Sequence, residues 1–462
     1  MIDQDICFKA IRRALSRGGD YCDVFVEERT DTGISLDDGR IKGLTTGTSA
    51  GVGLRVIVGR NYLYMYAGNP TGEKLMELAE QMAGAVAQDE AGNLGEPFSP
   101  EGRGLNPIRT DPDNVDLCEK VELLKRADTA ARNYSSKIAE AMVQYSDYSQ
   151  KVWIAGSDGR FVTDERVRTR FAVSSISQDG DKKETGMYGP GRAMGWEFFD
   201  LFSPEQVAEE ASRIAVLMLD ADYAPQGKMP VIIDNEFGGV IFHEACGHAL
   251  EATSVADDAS VFSGKMGEKI ASDVVNAVDD GTIPNAWGSA DFDDEGEPTQ
   301  RIQLIRDGEL TSYMIDRLGS MKMNMPGTAS GRRQSYKFAP TSRMTNTFIT
   351  AGPYSRDDLI ATIDEGLLCV NMGGGSVNPP TTDFNFSVRE AYLIKDGKVD
   401  RPVKGASLIG KGSEIIKKIE MVADNLDYNG TGMCGSISGS VPAGVGQPSV
   451  KVSGLVVGGR NQ

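Results

Sequence analysis

The chain has 462 residues, too many for one ordinary hydrophobic core, so two or three domains are expected. Its 48 Lys and Arg stand against 67 Asp and Glu, a formal charge of −19 that disfavours nucleic-acid backbones and anionic membrane surfaces as partners. No apolar run approaches the roughly 20 residues a bilayer-crossing helix needs, the N-terminus reads as amphipathic rather than secretory, and the six scattered cysteines read as reduced thiols, so a cytoplasmic protein is expected.

Residues 3–17 carry Ile6, Ala10, Ile11 and Leu15 on one helical stripe. Strand patterns follow at 23–27 and 53–58, on either side of a turn at Asp38-Gly39. A second helix is expected over 72–88, with Leu75, Leu78, Met82 and Val86 at helical spacing. The Gly-, Pro- and Asp-rich stretch 91–113 reads as an exposed connection, and 114–132 as a third helix. Residues 137–178 turn to strand patterns, split into a hairpin at Ser157-Asp158-Gly159-Arg160, and a further helix covers 204–220. Composition changes across 221–230, which marks the expected division between an N-terminal α/β domain (1–222) and a C-terminal, mostly β domain (230–462). In the second half Val231-Ile232-Ile233-Asp234 reads as a buried strand leading into a helix at about 237–251. Beyond residue 300 strands dominate, with Asp-Gly hairpin turns at 307–308 and 396–397 and one short helix at 356–366 behind Ser355 and Asp358.

The two histidines of the chain both lie in His243-Glu244-Ala245-Cys246-Gly247-His248. Imidazole binds zinc-like metals at neutral pH, and a neighbouring carboxylate can take a proton from water, so the hexapeptide reads as the centre of a metal-dependent hydrolase. The spacing poses a difficulty. Five residues at about 100° each put the rings about 140° apart on a regular α-helix, too far to share an ion. A π-type widening would bring them together, and Gly247 makes local distortion easier. Catalytic zinc usually takes three protein ligands. The third candidates are Cys246, the carboxylates of 291–297, and Cys434 in its glycine-rich run; residue types favour Cys434 and leave the others open.

The hexapeptide is similar to the His-Glu-x-x-x-His motif of the TldD/PmbA family of metallopeptidases. The resemblance continues through Asp293-Asp-Glu-Gly296, Gly331-Arg-Arg-Gln-Ser-Tyr336, Arg343-Met-Thr-Asn-Thr347, Met372-Gly-Gly-Gly375, Val388-Arg-Glu-Ala-Tyr-Leu-Ile394 and Ser440-Val-Pro-Ala-Gly-Val-Gly-Gln-Pro448. It implies an α+β fold whose C-terminal, barrel-like β domain carries the metal helix. It also implies zinc held by His243, His248 and Cys434, with Glu244 as general base, acting on peptides and small unfolded proteins. The strand-rich, glycine-rich surroundings of Cys434 and Gly373-Gly-Gly375 point to a peptide substrate bound in extended form at a sheet edge. Family members pair as homodimers, or as heterodimers with a PmbA/TldE-type paralogue that lacks the histidine motif. Two rival functions remain: a metal-dependent amidase or deacylase on a small molecule, and a noncatalytic peptide-binding regulatory subunit, for which Glu244 would have no use. Arg332, Arg333 and Arg343 read as surface pairs, 291–297 as a solvated charged turn, and Tyr336 as a packing residue.

Overall fold

In a computed structural model of the chain, residues 2–86, 90–378 and 380–459 are described. Helix α1 (Gln4–Ala14) starts at Asp3, whose carboxylate caps Ile6 N–H, and buries Cys7, Phe8, Ala10, Ile11 and Ala14. It is followed by β1 (Tyr21–Asp37), β2 (Arg40–Val58), β3 (Asn61–Gly68) and α2 (Gly72–Ala85). Residues 87 and 88 of the expected second helix lie outside the described residues. After the exposed connection come α3 (Leu117–Tyr134), β4 (Ile138–Gly156), β5 (Phe161–Asp179), β6 (Lys182–Tyr188) and α4 (Pro204–Leu219). The six strands form one antiparallel sheet in the order β3-β2-β1-β4-β5-β6.

The pleat of β1 explains what the sheet holds on each side. Val24 and Val26 face α1 and α2, in a core with Ile11, Leu54, Leu75 and Met82. Between them Phe25 turns the other way and packs with Ile154, Phe292 and Tyr336. The central sheet is therefore covered on both faces, by helices on one and by the C-terminal half on the other. Asp23 and Glu27 share the Phe25 face and meet the C-terminal half through polar contacts. Arg55 Nη2 lies 2.6 Å from Asp23 and 2.7 Å from Glu295, with all three side chains at most 1% exposed. Glu27 accepts the Tyr336 N–H at 2.7 Å.

The C-terminal half is built on a closed five-stranded barrel. Strand 365–378 pairs with 227–233, then 450–458, 407–411 and 383–395 follow, and the last pairs back with 365–378. The contact between 227–233 and 365–378 is parallel and the other four are antiparallel. The Asp-Gly turns at 38–39, 307–308 and 396–397 have both residues at positive φ, as type I′ hairpins require. The helix expected over 356–366 ends at Ala361, because the chain is needed for the barrel strand that begins at Glu365. Its capping box between Ser355 and Asp358 forms as expected. No helix among the described residues is long and apolar enough to cross a membrane.

Two expectations about charge are overturned. Asp293, Asp294 and Glu295 are 2–4% exposed, so 291–297 is a buried acidic loop and not a solvated turn. Arg332, Arg333 and Arg343 are likewise buried. The acidic loop is paid for by cations from across the seam: Glu295 by Arg55, and Asp294 by Arg166 at 2.5 Å. Removing one member of such a set strands the rest without water. Arg55→Met is expected to destabilise the fold by about 3–5 kcal/mol, seen as a lower urea midpoint.

Candidate metal centre

The segment that carries both histidines enters from strand 227–233 and changes its winding three times. It runs as a 3-10 turn over Glu236–Gly239, an α turn over Val240–Phe242, a π turn over His243–Gly247 and a 3-10 turn over His248–Leu250. The His248 N–H reaches the His243 carbonyl, an i→i+5 bond that places residues five apart above one another. The widening expected from the spacing is thus present where the histidines need it. Its apolar face (Ile241, Phe242, Ala245, Cys246, Ala249) sits in the barrel core with Val231, Leu367 and Val452. Gly247 has ordinary helical angles, φ −55° and ψ −53°. Space is what requires glycine there, since a Cβ would lie 2.3 Å from Met344 Sδ.

Facing this turn is a two-stranded hairpin, Thr431–Ser436 against Gly439–Gly444, in which Cys434 pairs with Val441. Cys434 Sγ lies 3.2 Å from His243 Nε2 and 3.3 Å from His248 Nε2. The three donor atoms fall within 4.8 Å of one another. Cys246 sits in the barrel core, and burial pushes its thiol well up. The carboxylates of 291–297 are engaged at the seam. Of the three candidate third donors, Cys434 is the one brought to both rings.

Burial raises the Cys434 thiol, but His243 and then His248 override it and hold it at about 3. Cys434 is therefore a thiolate at neutral pH, the form that binds metal. For His248, burial opposes the charged ring, yet Glu251 and Cys434 reverse this and hold it well above the usual imidazole value. These donors fit a tetrahedral ion. With bonds near 2.3 Å to sulfur and 2.0–2.1 Å to nitrogen, S···N separations of about 3.5 Å follow, close to those observed.

Two further residues, Glu251 and Arg343, support the donors. Glu251 Oε2 lies 3.1 Å from His248 Nδ1, so it fixes the ring and leaves Nε2 toward Cys434. Its position three residues after His248 was a readable signal for such a partner. Arg343, fully buried, donates to the Cys434 carbonyl, to Ser438 Oγ at 3.0 Å and to the Gly439 carbonyl at 2.9 Å, and so fixes the thiolate hairpin. Among the described residues His243 Nδ1 has no hydrogen-bond partner, and the ring is held by burial and by the Nε2 contact with Cys434. Glu251→Gln is expected to weaken metal affinity about 10- to 100-fold, read by chelator competition, with the fold intact.

Glu244 is adjacent but apart: Oε2 lies 3.6 Å from His248 Nε2 and its side chain is 28% exposed, against 12% for His248. It is a carboxylate open to solvent at the edge of a buried donor set. Tyr336 packs across Gly51 and edge-on to Tyr66, far into the seam. A cavity of about 350 Å³ lies at that seam among Arg166, Arg168, Arg332, Asp293, Asp294 and Tyr336, and neither histidine nor Glu244 lines it. Gly373 and Gly375 are required by close strand approach, since a Cβ on either would lie 2.2 Å from Ser387 Oγ or Phe386.

Comparisons with known proteins identify the family. The PmbA/TldA metallopeptidase domain 1 matches residues 22–86, the central domain 110–219 and the C-terminal domain 226–459. A metalloprotease TldD homologue of Haemophilus influenzae is 38% identical over 96% of this chain and 94% of its own. Another, from Buchnera aphidicola, is 34% identical over 99% of this chain and 96% of its own. The structure of TldE from Thermococcus kodakarensis shares the fold, with a TM-score of 0.75 at 21% identity, covering 98% of this chain and all of that one. The chain belongs to the PmbA/TldD metallopeptidase family.

Proposed function

We propose that this member of the family is a zinc-dependent peptidase, with His243, His248 and Cys434 as ligands and Glu244 as general base. The observation that carries the reading is the convergence of two imidazoles and a thiolate beside a carboxylate left open to solvent. A zinc ion held there supplies Lewis acidity, acidifying water and polarising a peptide carbonyl. The chain's own residues do the rest. Glu244 takes a proton from the attacking water and is placed to hand one to the leaving amine. Glu251 and Arg343 hold His248 and Cys434 in place. A thiolate donor lowers the net positive charge of the site relative to three imidazoles, which puts more of the proton transfer on Glu244.

An extended, unstructured peptide is the substrate this reading favours. Over Arg40–Ala50, β2 pairs with β1 and no second strand among the described residues, leaving an open edge to which an extended chain can add. A TldE-type paralogue or a second copy is the expected partner, as the TldE neighbour suggests. The test is digestion by the metal-loaded protein, alone and with its paralogue. Unstructured peptides should be cut at varied positions, folded proteins of the same sequence left intact, and a chelator should stop cleavage. Proline in the scissile region should block cutting by removing a backbone donor. Equal cutting of folded and unfolded chains, or cleavage of small acyl amides alone, would overturn the substrate reading in favour of an amidase.

A further inference from the structure

A second cavity, of about 170 Å³, lies where β5 and the loop after β6 meet the barrel. Arg170 and Arg389 line it, with Asn371, Asn429 and Thr431, and among the described residues no carboxylate does. In a chain of net charge −19 this is an unusual place for two cations. Neither guanidinium makes a hydrogen bond or ion pair with any described residue, and Arg170 Nε is buried without a partner. Other partly buried arginines at the seam are answered: Arg166 by two aspartates, Arg213 by two glutamates, and Arg192 by Asn429. Burial, with no opposing charge, holds both Arg170 and Arg389 below the usual arginine value. Partly buried guanidinium groups left unpaired are costly, and two lining one pocket find their complement in an anion.

The cavity adjoins the elements that carry the metal donors, though none of His243, His248 and Cys434 lines it. Strand Thr431–Ser436 runs from the cavity at Thr431 to Cys434, about 10 Å at roughly 3.3 Å per residue. Phe237, also in the wall, belongs to the turn that leads into His243. Gly374, within the glycine run that no catalytic role absorbs, completes it.

We propose that Arg170 and Arg389 form a carboxylate-binding subsite for the peptide, holding its free C-terminus or an acidic side chain about three residues from the bond to be cut. This rests on the peptidase reading for its substrate, but not for its test. Binding of fluorescent peptides to the metal-loaded Glu244→Gln protein, which should bind without cutting, is compared for C-terminal acids and the matching amides. The acid is expected to bind about tenfold or more tighter. Arg170→Gln and Arg389→Gln should each abolish that preference while leaving affinity for the amide unchanged, and Arg29→Gln, in the other cavity, should preserve it. Amidated peptides with one Asp moved along the chain identify the source: a preference restored at one position means a side chain, and none restored means the terminus. Should either variant fail to fold, competition by acetate against the acid but not the amide in the parent protein carries the test. Equal binding of acid and amide, or a preference that survives both substitutions, would overturn the subsite. Cleavage of amides without carboxylate preference sinks only the subsite; preference without cleavage in the Glu244 parent sinks only the peptidase.

Discussion

Cys434→Ala is expected to purify folded and largely free of metal, with peptide hydrolysis lost, while Cys246→Ala keeps both. The two thiols differ in surroundings. Cys434 is held at about 3 by the imidazoles on which it converges, so it is a ready ligand. Cys246 is 0% exposed among aliphatic side chains of the barrel, and nothing there stabilises its thiolate. If a bound zinc contributes ten or more kcal/mol through three protein donors, losing one weakens affinity by about 10²- to 10³-fold. The hairpin itself should survive, because Arg343 grips the Cys434 carbonyl, which alanine retains. Metal analysis by mass spectrometry beside circular dichroism separates ligation from folding. Stoichiometric metal in folded Cys434→Ala would remove the thiolate from the ligand set.

The parts of this site legible in the sequence were those in which chemistry and spacing agree. Two histidines five apart flanking a glutamate demanded a widened helix, and the π turn at His243–Gly247 supplies it. The short amphipathic helices were readable from their stripes, and the Asp-Gly turns from the φ they need. The length of the strands was not. Only residues 23–27 of β1 looked like a strand, whereas it runs to Asp37, because Glu28–Asp37 is polar and is ordered by pairing with β2 and β4 instead of by its own apolar pattern. The burial of Arg55, Asp293, Asp294, Glu295 and Arg343 was also illegible. Each would be costly alone, and it is tolerated through partners about 30 to 240 positions away in sequence, which no local window contains. Gly247 was readable as special, but for the wrong reason: its angles are ordinary, and Met344, from another segment, sets the requirement.

Glu244→Gln is expected to retain metal and fold, and to lose peptide hydrolysis by roughly 10² or more. The substitution keeps the side chain's size and its place 3.6 Å from His248 Nε2, but an amide cannot accept a proton near neutral pH. Among the described residues no other carboxylate near the donor set is free to substitute. Glu251 is 4% exposed and committed to His248 Nδ1, and the carboxylates of Asp294 and Glu295 are held at the seam by Arg55, Arg166 and the Arg333 backbone N–H. If proton transfer is what Glu244 contributes, the loss should fall on kcat with KM little changed, since peptide binding does not use that proton. A noncatalytic binding protein would instead show peptide affinity and no turnover in either form, with the substitution silent. Near parental turnover in a variant whose metal content is verified would assign the base to some other group.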